Sequence, residues 1–544
     1  MQSKTRFFTI VLIILASLCC ATIFIGGGFW AIYRYYVSRE GITPSPVAVT
    51  PQPGGVLRIA GFEPVTLDPA LVEDIYSAEY VTKIFSGLVT LNEFLEVAPD
   101  LAERWEVSGD GTVYTFYLRK NAYFHNGKPV TAEDVKYSLE RACDPATGSH
   151  TAGIYLDDIK GVKEKLAGEA PEIEGVEVLD QYTLRISIDA PKAYFLAKLT
   201  YPVAFVVDKE NVESGSDWTS RPNGTGPFKL KSYDPEKGIT LETFANFYGQ
   251  KPLIEQVEFI FPEGSPFVMY QTGEIDVTPV GVENIEQVLD PQNPMSKELM
   301  KVSSLDLMYV AFNVKKEPFE DPDVRKAFAC ATDRASIVKA LFKGMVKEAK
   351  GILPPGMPGY TEKAKGLVCE PSQAMDFLKR SSYGGPEGLP SITLSVSGST
   401  ALAQALVEMY KNSLEVAVEI EQIPWDLFLR EVNEHKLQMF ILGWSADYPD
   451  PHNFLDIHFH SQSPGNNTGY SNPEVDRLLE EARVEKDHSR RMALYQQAED
   501  LILKDAPWVP LFHGVDYILV KPYVREFVVS PIGTLYLNKT YISR

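Results

Sequence analysis

Two hydrophobic periods interleave along this chain. Val56 to Ala60, Tyr114 to Leu118 and Tyr182 to Ile188 alternate apolar and polar positions or carry β-branched and aromatic residues, the pattern of half-buried strands. Thr131, with Asp134 three residues on, predicts a helix N-cap and an acidic first turn leading into Val135 and Leu139. Asn472 and Pro473 open a second predicted helix with Val475, Leu478, Leu479 and Ala482 on one side, and another amphipathic segment runs from Ser489 to Leu503. No short repeat recurs, so solenoids and propellers are disfavoured and the pattern predicts a mixed α/β chain.

One segment departs from simple periodicity. In QMFILGWSADYPDP, Gln438 to Pro451, the apolar run Met439, Phe440, Ile441 and Leu442 predicts a buried strand that ends abruptly at an acidic group, Asp447, flanked by Trp444 and Tyr448. In open α/β sheets ligands bind beyond the carboxyl ends of strands, so a carboxylate walled by aromatics there suits a cation such as a peptide's terminal ammonium. The competing reading is a plain turn, which Asp, Tyr, Pro, Asp and Pro all favour.

The N-terminus reads as a separate object. No charged residue interrupts Phe7 to Tyr33, with Lys4 and Arg6 before and Arg34 and Arg39 after, a stretch long enough to span a bilayer. The apolar run continues through Phe24, Phe29 and Trp30, which predicts an uncleaved anchor over residues 1–36 in preference to a cleaved signal. Cys19 and Cys20 raise a lipoprotein alternative, but Leu18 stands where a small residue belongs. Residues 37–55, rich in proline from Gly41 to Gly55, read as an extended tether.

Composition narrows the function. The chain has 544 residues, 44% of them hydrophobic, enough for two or three domains with large cores. A net charge of -21 argues against nucleic acid as a partner. No GxSxG elbow, HExxH pair, Walker loop or CxxC occurs, and Asp447 and Asp450, three apart in a turn with Pro449, have no reason to converge on one bond; a hydrolase is a distant alternative. His452, Asp456, His458 and His460 are near neighbours, and an extended Ile457 to His460 would set two imidazoles on one face; a polar strand edge is the preferred reading, and neither metal nor cofactor is predicted. Of the globular cysteines, Cys330 reads as a small core residue, and Cys143 and Cys369, both in proline-adjacent loops, are the pair for which a disulfide is conceivable.

Several blocks carry a resemblance. Leu101 to Ala142, NGTGPFKL from Asn223, AFNVKKEPFEDPDVRKAFACATDR from Ala311, and GWSADYPDPHNFL through NNTGYSNPEVD closely resemble the family 5 extracellular solute-binding proteins, the peptide-binding subunits of ABC importers, in the family's order. The resemblance implies a two-lobed α/β fold of the type II (cluster C) periplasmic-binding-protein kind with a hinge, here preceded by the N-terminal transmembrane helix. Lobe I would be residues 56–306 with 515–544 returning to it, and lobe II 307–514, the crossings falling near Leu305 to Phe312 and Val509 to Val515. It further implies a monomer outside the cytoplasm, tethered to the membrane, that closes on a peptide and delivers it to permease subunits; an oligosaccharide or nickel complex is the alternative ligand.

Site residues follow only where the motif matches. Asp447 resembles the family's partner for the ligand ammonium, Gly443 and Ser445 the strand positions whose backbone pairs with the peptide, and Trp444 and Trp425 the tryptophans of side-chain pockets. Tyr448 joins them as a wall of the acidic group. For the ligand carboxylate the segment between the two tryptophans offers Arg430, His435 and Lys436, none of which aligns with the family's basic positions.

Overall fold

Leu57 and Ile59 are the buried members of the alternating Val56–Ala60 strand, which sits near the middle of a seven-stranded sheet. In the computed structural model, which describes residues 54–363, 366–367 and 369–543, this strand pairs in parallel with Gln256–Ile260 on one side and Val277–Pro279 on the other. From edge to edge the sheet runs Leu299–Ser303, Val515–Val520, Val277–Pro279, Val56–Ala60, Gln256–Ile260, Gly238–Thr243 and Phe228–Asp234. A six-stranded sheet has the order Lys347–Glu348, Trp508–His513, Asp306–Phe312, Met439–Ser445, Ile392–Val396 and Val418–Gln422. A third, antiparallel sheet joins Ala102–Val107, Val113–Leu118, Thr183–Ser187 and Val176–Asp180.

The chain passes between the two large sheets twice, between Ser303 and Asp306 and again between His513 and Val515. The two crossings are tied together: Gly514 donates its N–H to the Asp306 carboxylate, Ser304 N–H reaches Gly514 O at 3.2 Å, and the Ser304 hydroxyl donates to Asp516 at 2.8 Å. A side chain at Gly514 would run into the Asp306 carboxylate, with a Cβ only 2.3 Å from an oxygen. The apolar cores divide along the same line, with Leu57, Phe116 and Val257 in one cluster and Val310, Phe328 and Leu394 in another. Tyr448 and Ile457, which follow the Met439–Ser445 strand, nevertheless pack into the first cluster.

Local signals account for the helices that frame this core. At Thr131 the backbone N–H donates to the Asp134 carboxylate at 2.9 Å and the hydroxyl to the same oxygen at 2.7 Å, opening the Ala132–Ala142 helix. Asn472 caps Pro473–Val484 by accepting the Glu474 N–H at 3.0 Å, and Val475, Leu478, Leu479 and Ala482 all face inward. The amphipathic run expected from Ser489 lies within the His488–Asp505 helix.

Three expectations need correction or lie elsewhere. Residues 457–460 are not a strand edge: His452–Phe459 is a buried helix, nucleated where Asp450 accepts the His452 N–H at 3.0 Å beside Pro451. Cys143 does not pair with Cys369; Cys330 and Cys369 form the disulfide, with Cα atoms 5.6 Å apart, and Cys143 is a buried free thiol. Burial pushes the Cys143 thiol up to about 12, which keeps it protonated and unreactive. The anchor over residues 1–36 and all but the last two residues of the tether lie outside the described residues, among which no helix is long and apolar enough to cross a membrane.

Non-reducing peptide mapping is expected to recover Cys330 linked to Cys369, with Cys143 alkylated only after denaturation. A peptide joining Cys143 to Cys369 would contradict the structure.

Candidate functional site

The Met439–Ser445 strand is flanked on one side by Asp306–Phe312 along its whole length, but on the other side Ile392–Val396 pairs only with Met439 and Phe440. Ala446 donates its N–H to Leu305 O at 2.8 Å, so the antiparallel alternation turns the backbone groups of Gly443 and Ser445 away from Asp306–Phe312 and toward the unpaired edge. No strand among the described residues covers that edge beyond Phe440. An extended chain laid there would find N–H and C=O groups already in ladder geometry.

Asp447 lies just past this edge, and an amide holds it in place. Asn453, fully buried in the following helix, accepts the Asp447 N–H at 3.0 Å and the Trp444 indole N–H at 3.1 Å on its Oδ1, while its Nδ2 donates to the Asp447 carboxylate at 3.0 Å. The same carboxylate oxygen accepts the Tyr155 hydroxyl, from the Ala152–Tyr155 helix. Tyr155 is itself fixed by stacking on Tyr201, centroids 4.0 Å apart and planes 3° from parallel, with Tyr448 edge-on at 6.4 Å.

Charge compensation separates Asp447 from its neighbours. Asp450 is clamped by Nη1 and Nη2 of Arg491 at 2.8 and 2.6 Å, and Asp456 by Nε and Nη2 of Arg483, both at 2.8 Å. Asp447 has neutral donors only; among the described residues no lysine, arginine or histidine lies within ion-pair reach of it. Burial drives its carboxyl up to about 6, against the opposing pull of the Tyr155 and Asn453 hydrogen bonds. A half-buried anion without a counterion carries a desolvation cost, and an incoming cation would offset it.

Asp447 and Ser445 line a cavity of about 970 Å³. Its walls come from the seven-stranded sheet (Ile59, Val277, Tyr517), from the Ile75–Ile84 helix, from the crossings at Ser304, Asp306 and Asp516, and from the C-terminal segment around Leu535. Apolar surface predominates, with carboxylates at separate points of the lining.

The six predicted site residues are not all brought to this cavity. Ser445 and Asp447 reach it, and Gly443 is exposed on the same strand edge. Trp444 and Trp425 are not among its lining residues: Trp444 packs edge-on against His458 at 4.2 Å and orients Asn453, while Trp425 stacks near Phe428 and has a buried indole N–H with no hydrogen-bond partner among the described residues. Tyr448, at 0% exposure, stands behind Asp447 with its hydroxyl on His452 Nδ1 at 2.8 Å, so it braces the acidic group from the protein side. Sequence reading missed Asn453 and Tyr155; the first stands in the quoted PHNF, but the second is 292 positions from its partner and has no local signal.

The histidines are spent on packing. His458 meets Gly465 O at 3.2 Å, His460 meets Glu480 at 3.2 Å, and burial lowers His452 and His458 to about 3, leaving both neutral. Among the described residues no group of three or more His, Cys, Asp or Glu is placed to hold a metal ion.

Comparison with known proteins places this geometry. Residues 96–466 match the model of the bacterial extracellular solute-binding proteins, family 5 middle. The dipeptide-binding protein DppE of Bacillus subtilis is 31% identical over 497 residues, 88% of this chain and 90% of its own. The murein tripeptide-binding protein MppA of Escherichia coli superposes with a TM-score of 0.83 at 28% identity, covering 92% of this chain and 100% of its own. OppA of Haemophilus influenzae in complex with the peptide RPPGFSPFR gives 0.82 at 26% identity over 90% of this chain and 99% of its own. An unliganded open form of MppA superposes less closely, with a TM-score of 0.67 at 28% identity over 92% of this chain and 99% of its own.

Proposed function

The chain belongs to the family 5 bacterial extracellular solute-binding proteins, and from that premise we propose that it captures peptides by their free α-amine and delivers them to the permease subunits of an ABC importer. The observation that carries this reading is the uncompensated Asp447 carboxylate at the end of a strand edge free to receive another strand. Main-chain pairing to Gly443 and Ser445 supplies affinity indifferent to side-chain identity, while Asp447 selects the charged terminus.

On this reading residues 56–306 with 515–544 act as one lobe and 307–514 as the other, hinged at the paired crossings. Support comes from the exchange of sheets at those two points and from Tyr155, which reaches Asp447 from the opposite lobe. Closure that joins Tyr155 to Asp447 also strips water from the ammonium, which strengthens the ion pair. Peptide capture is further supported by relatives whose names state dipeptide and oligopeptide binding. We also retain the N-terminal anchor, supported by the uncharged Phe7 to Tyr33 stretch, as a tether that keeps the binding lobes at the membrane surface.

Asp447→Ala is expected to weaken binding of a free-amine peptide by roughly 30-fold or more, the scale set by about 2 to 5 kcal/mol for leaving a buried charge unpaired. The pH dependence follows from the same group. An ammonium binds the ionised carboxylate and pulls its pKa down from the about 6 of the empty site, so affinity is full above that value and falls as the pH drops below it. Calorimetry one pH unit below should read a dissociation constant about tenfold weaker, with no such fall in Asp447→Ala. For the anchor, N-terminal sequencing of membrane-extracted protein should begin near Met1; a start near Ile42 would rule it out.

A further inference from the structure

The proposed function leaves the other end of the ligand without a partner, and the cavity's charge inventory addresses it. Six carboxylates line the cavity: Glu79, Glu93, Asp100, Asp306, Asp447 and Asp516. Among the described residues the lining contains no arginine or histidine and two lysines, both engaged: Lys83 lies 3.2 Å from Glu79, and Lys539 lies 2.8 Å from Glu93. Among the described residues none of the other four carboxylates has a lysine or arginine within ion-pair distance; their hydrogen-bond donors are neutral, Tyr248 for Asp100, the Gly514 N–H for Asp306 and Ser304 for Asp516, and only Asp100 feels an arginine from behind the lining, Arg119, whose guanidinium donates to the Asp100 carbonyl at 2.6 Å.

The basic residues of the segment before Asp447 do not correct this imbalance. Arg430, His435 and Lys436 are absent from the lining, and Lys436 is taken up by Glu434. A peptide carboxylate enclosed here would give up water for neutral donors while facing like charge, the arrangement by which a site rejects a ligand. The rim differs from the interior. Phe62, Ile75 and Phe94 are lining residues that are 50%, 61% and 75% exposed, large apolar groups where the cavity meets solvent, beside the exposed Gln250 and Lys539.

Resting on the peptide-capture reading, we infer that the cavity takes the amine end of its ligand and leaves the carboxylate outside, so that its ligands are oligopeptides long enough to run out across the Phe62, Ile75 and Phe94 rim. Short peptides that would enclose both termini are discriminated against by the missing cation. Side chains of the emerging segment that are apolar gain contact at the rim, and the chain beyond is unconstrained in length.

Calorimetry on the full-length protein with matched ligands tests this: Leu-Leu-Leu and its C-terminal amide, a leucine-rich octapeptide and its amide, and the N-acetyl form of each. Amidation is expected to tighten the tripeptide by about tenfold or more, the worth of one unmet charged group, and to change the octapeptide by less than about twofold. A tripeptide acid that binds as well as its amide, or better, while N-acetylation abolishes both, would overturn the inference and leave peptide capture standing. Binding that ignores N-acetylation, or no binding by any of these peptides, would overturn the peptide reading and this inference with it.

Discussion

Asp447 is a carboxylate held in the protein without a cation of its own. Every hydrogen bond it receives comes from a neutral group, the Tyr155 phenol or the Asn453 amide, whereas Asp450 and Asp456 a few positions on are each closed by an arginine fork. Neutral donors orient the carboxylate and lessen its burial cost without cancelling its charge. The charge therefore stays available. In a protein that releases what it binds, this is the balance required, because an internal arginine would compete with the ligand and a fully hydrated carboxylate would gain little from it.

The two large sheets and their crossings frame that group. The Asp306–Phe312 strand, entered straight from the first crossing, carries the Met439–Ser445 strand in register along its length, and the second crossing returns beside it. Asp306, Ser304, Gly514 and Asp516 tie the crossings by hydrogen bonds, and Ser304, Asp306 and Asp516 also line the cavity. Tyr155 and Tyr448 meet from opposite sides of that division, and Tyr448 sits at 0% exposure. On the proposed reading, ligand, hinge and closing surface share one set of neighbours, so that occupancy is coupled to closure through direct contact.

Local physics made part of this legible in the sequence. The apolar run ending at Asp447, the Thr131 and Asn472 caps and the inward stripe of Val475, Leu478, Leu479 and Ala482 are all short-range patterns, and each appears in the structure as a strand end, a cap or a buried face. What escaped depends on chain separation. Tyr155 and Asp447 stand 292 positions apart and meet only through the tertiary fold, and Cys369 pairs with Cys330 and not Cys143 because the fold brings the former close while burying the latter in another core. The 452–459 segment misled for a different reason. Alternating histidines resemble a strand edge, but Asp450 and Pro451 start a helix whose eight residues are all buried, a tertiary preference that overrides the pattern.

The central claim, that one ammonium and one carboxylate recognise each other in this cavity, is tested most directly by a double cycle: wild type and Asp447→Asn, each titrated calorimetrically with a free-amine oligopeptide and its N-acetyl form. Asparagine preserves the size and the hydrogen bonding of the site while removing the charge, so the cycle isolates the pair. The account predicts that acetylation weakens wild-type binding by roughly 30-fold or more and alters the variant by less than about threefold. Equal losses on acetylation in both proteins would contradict it, since the amine would then be recognised somewhere other than Asp447.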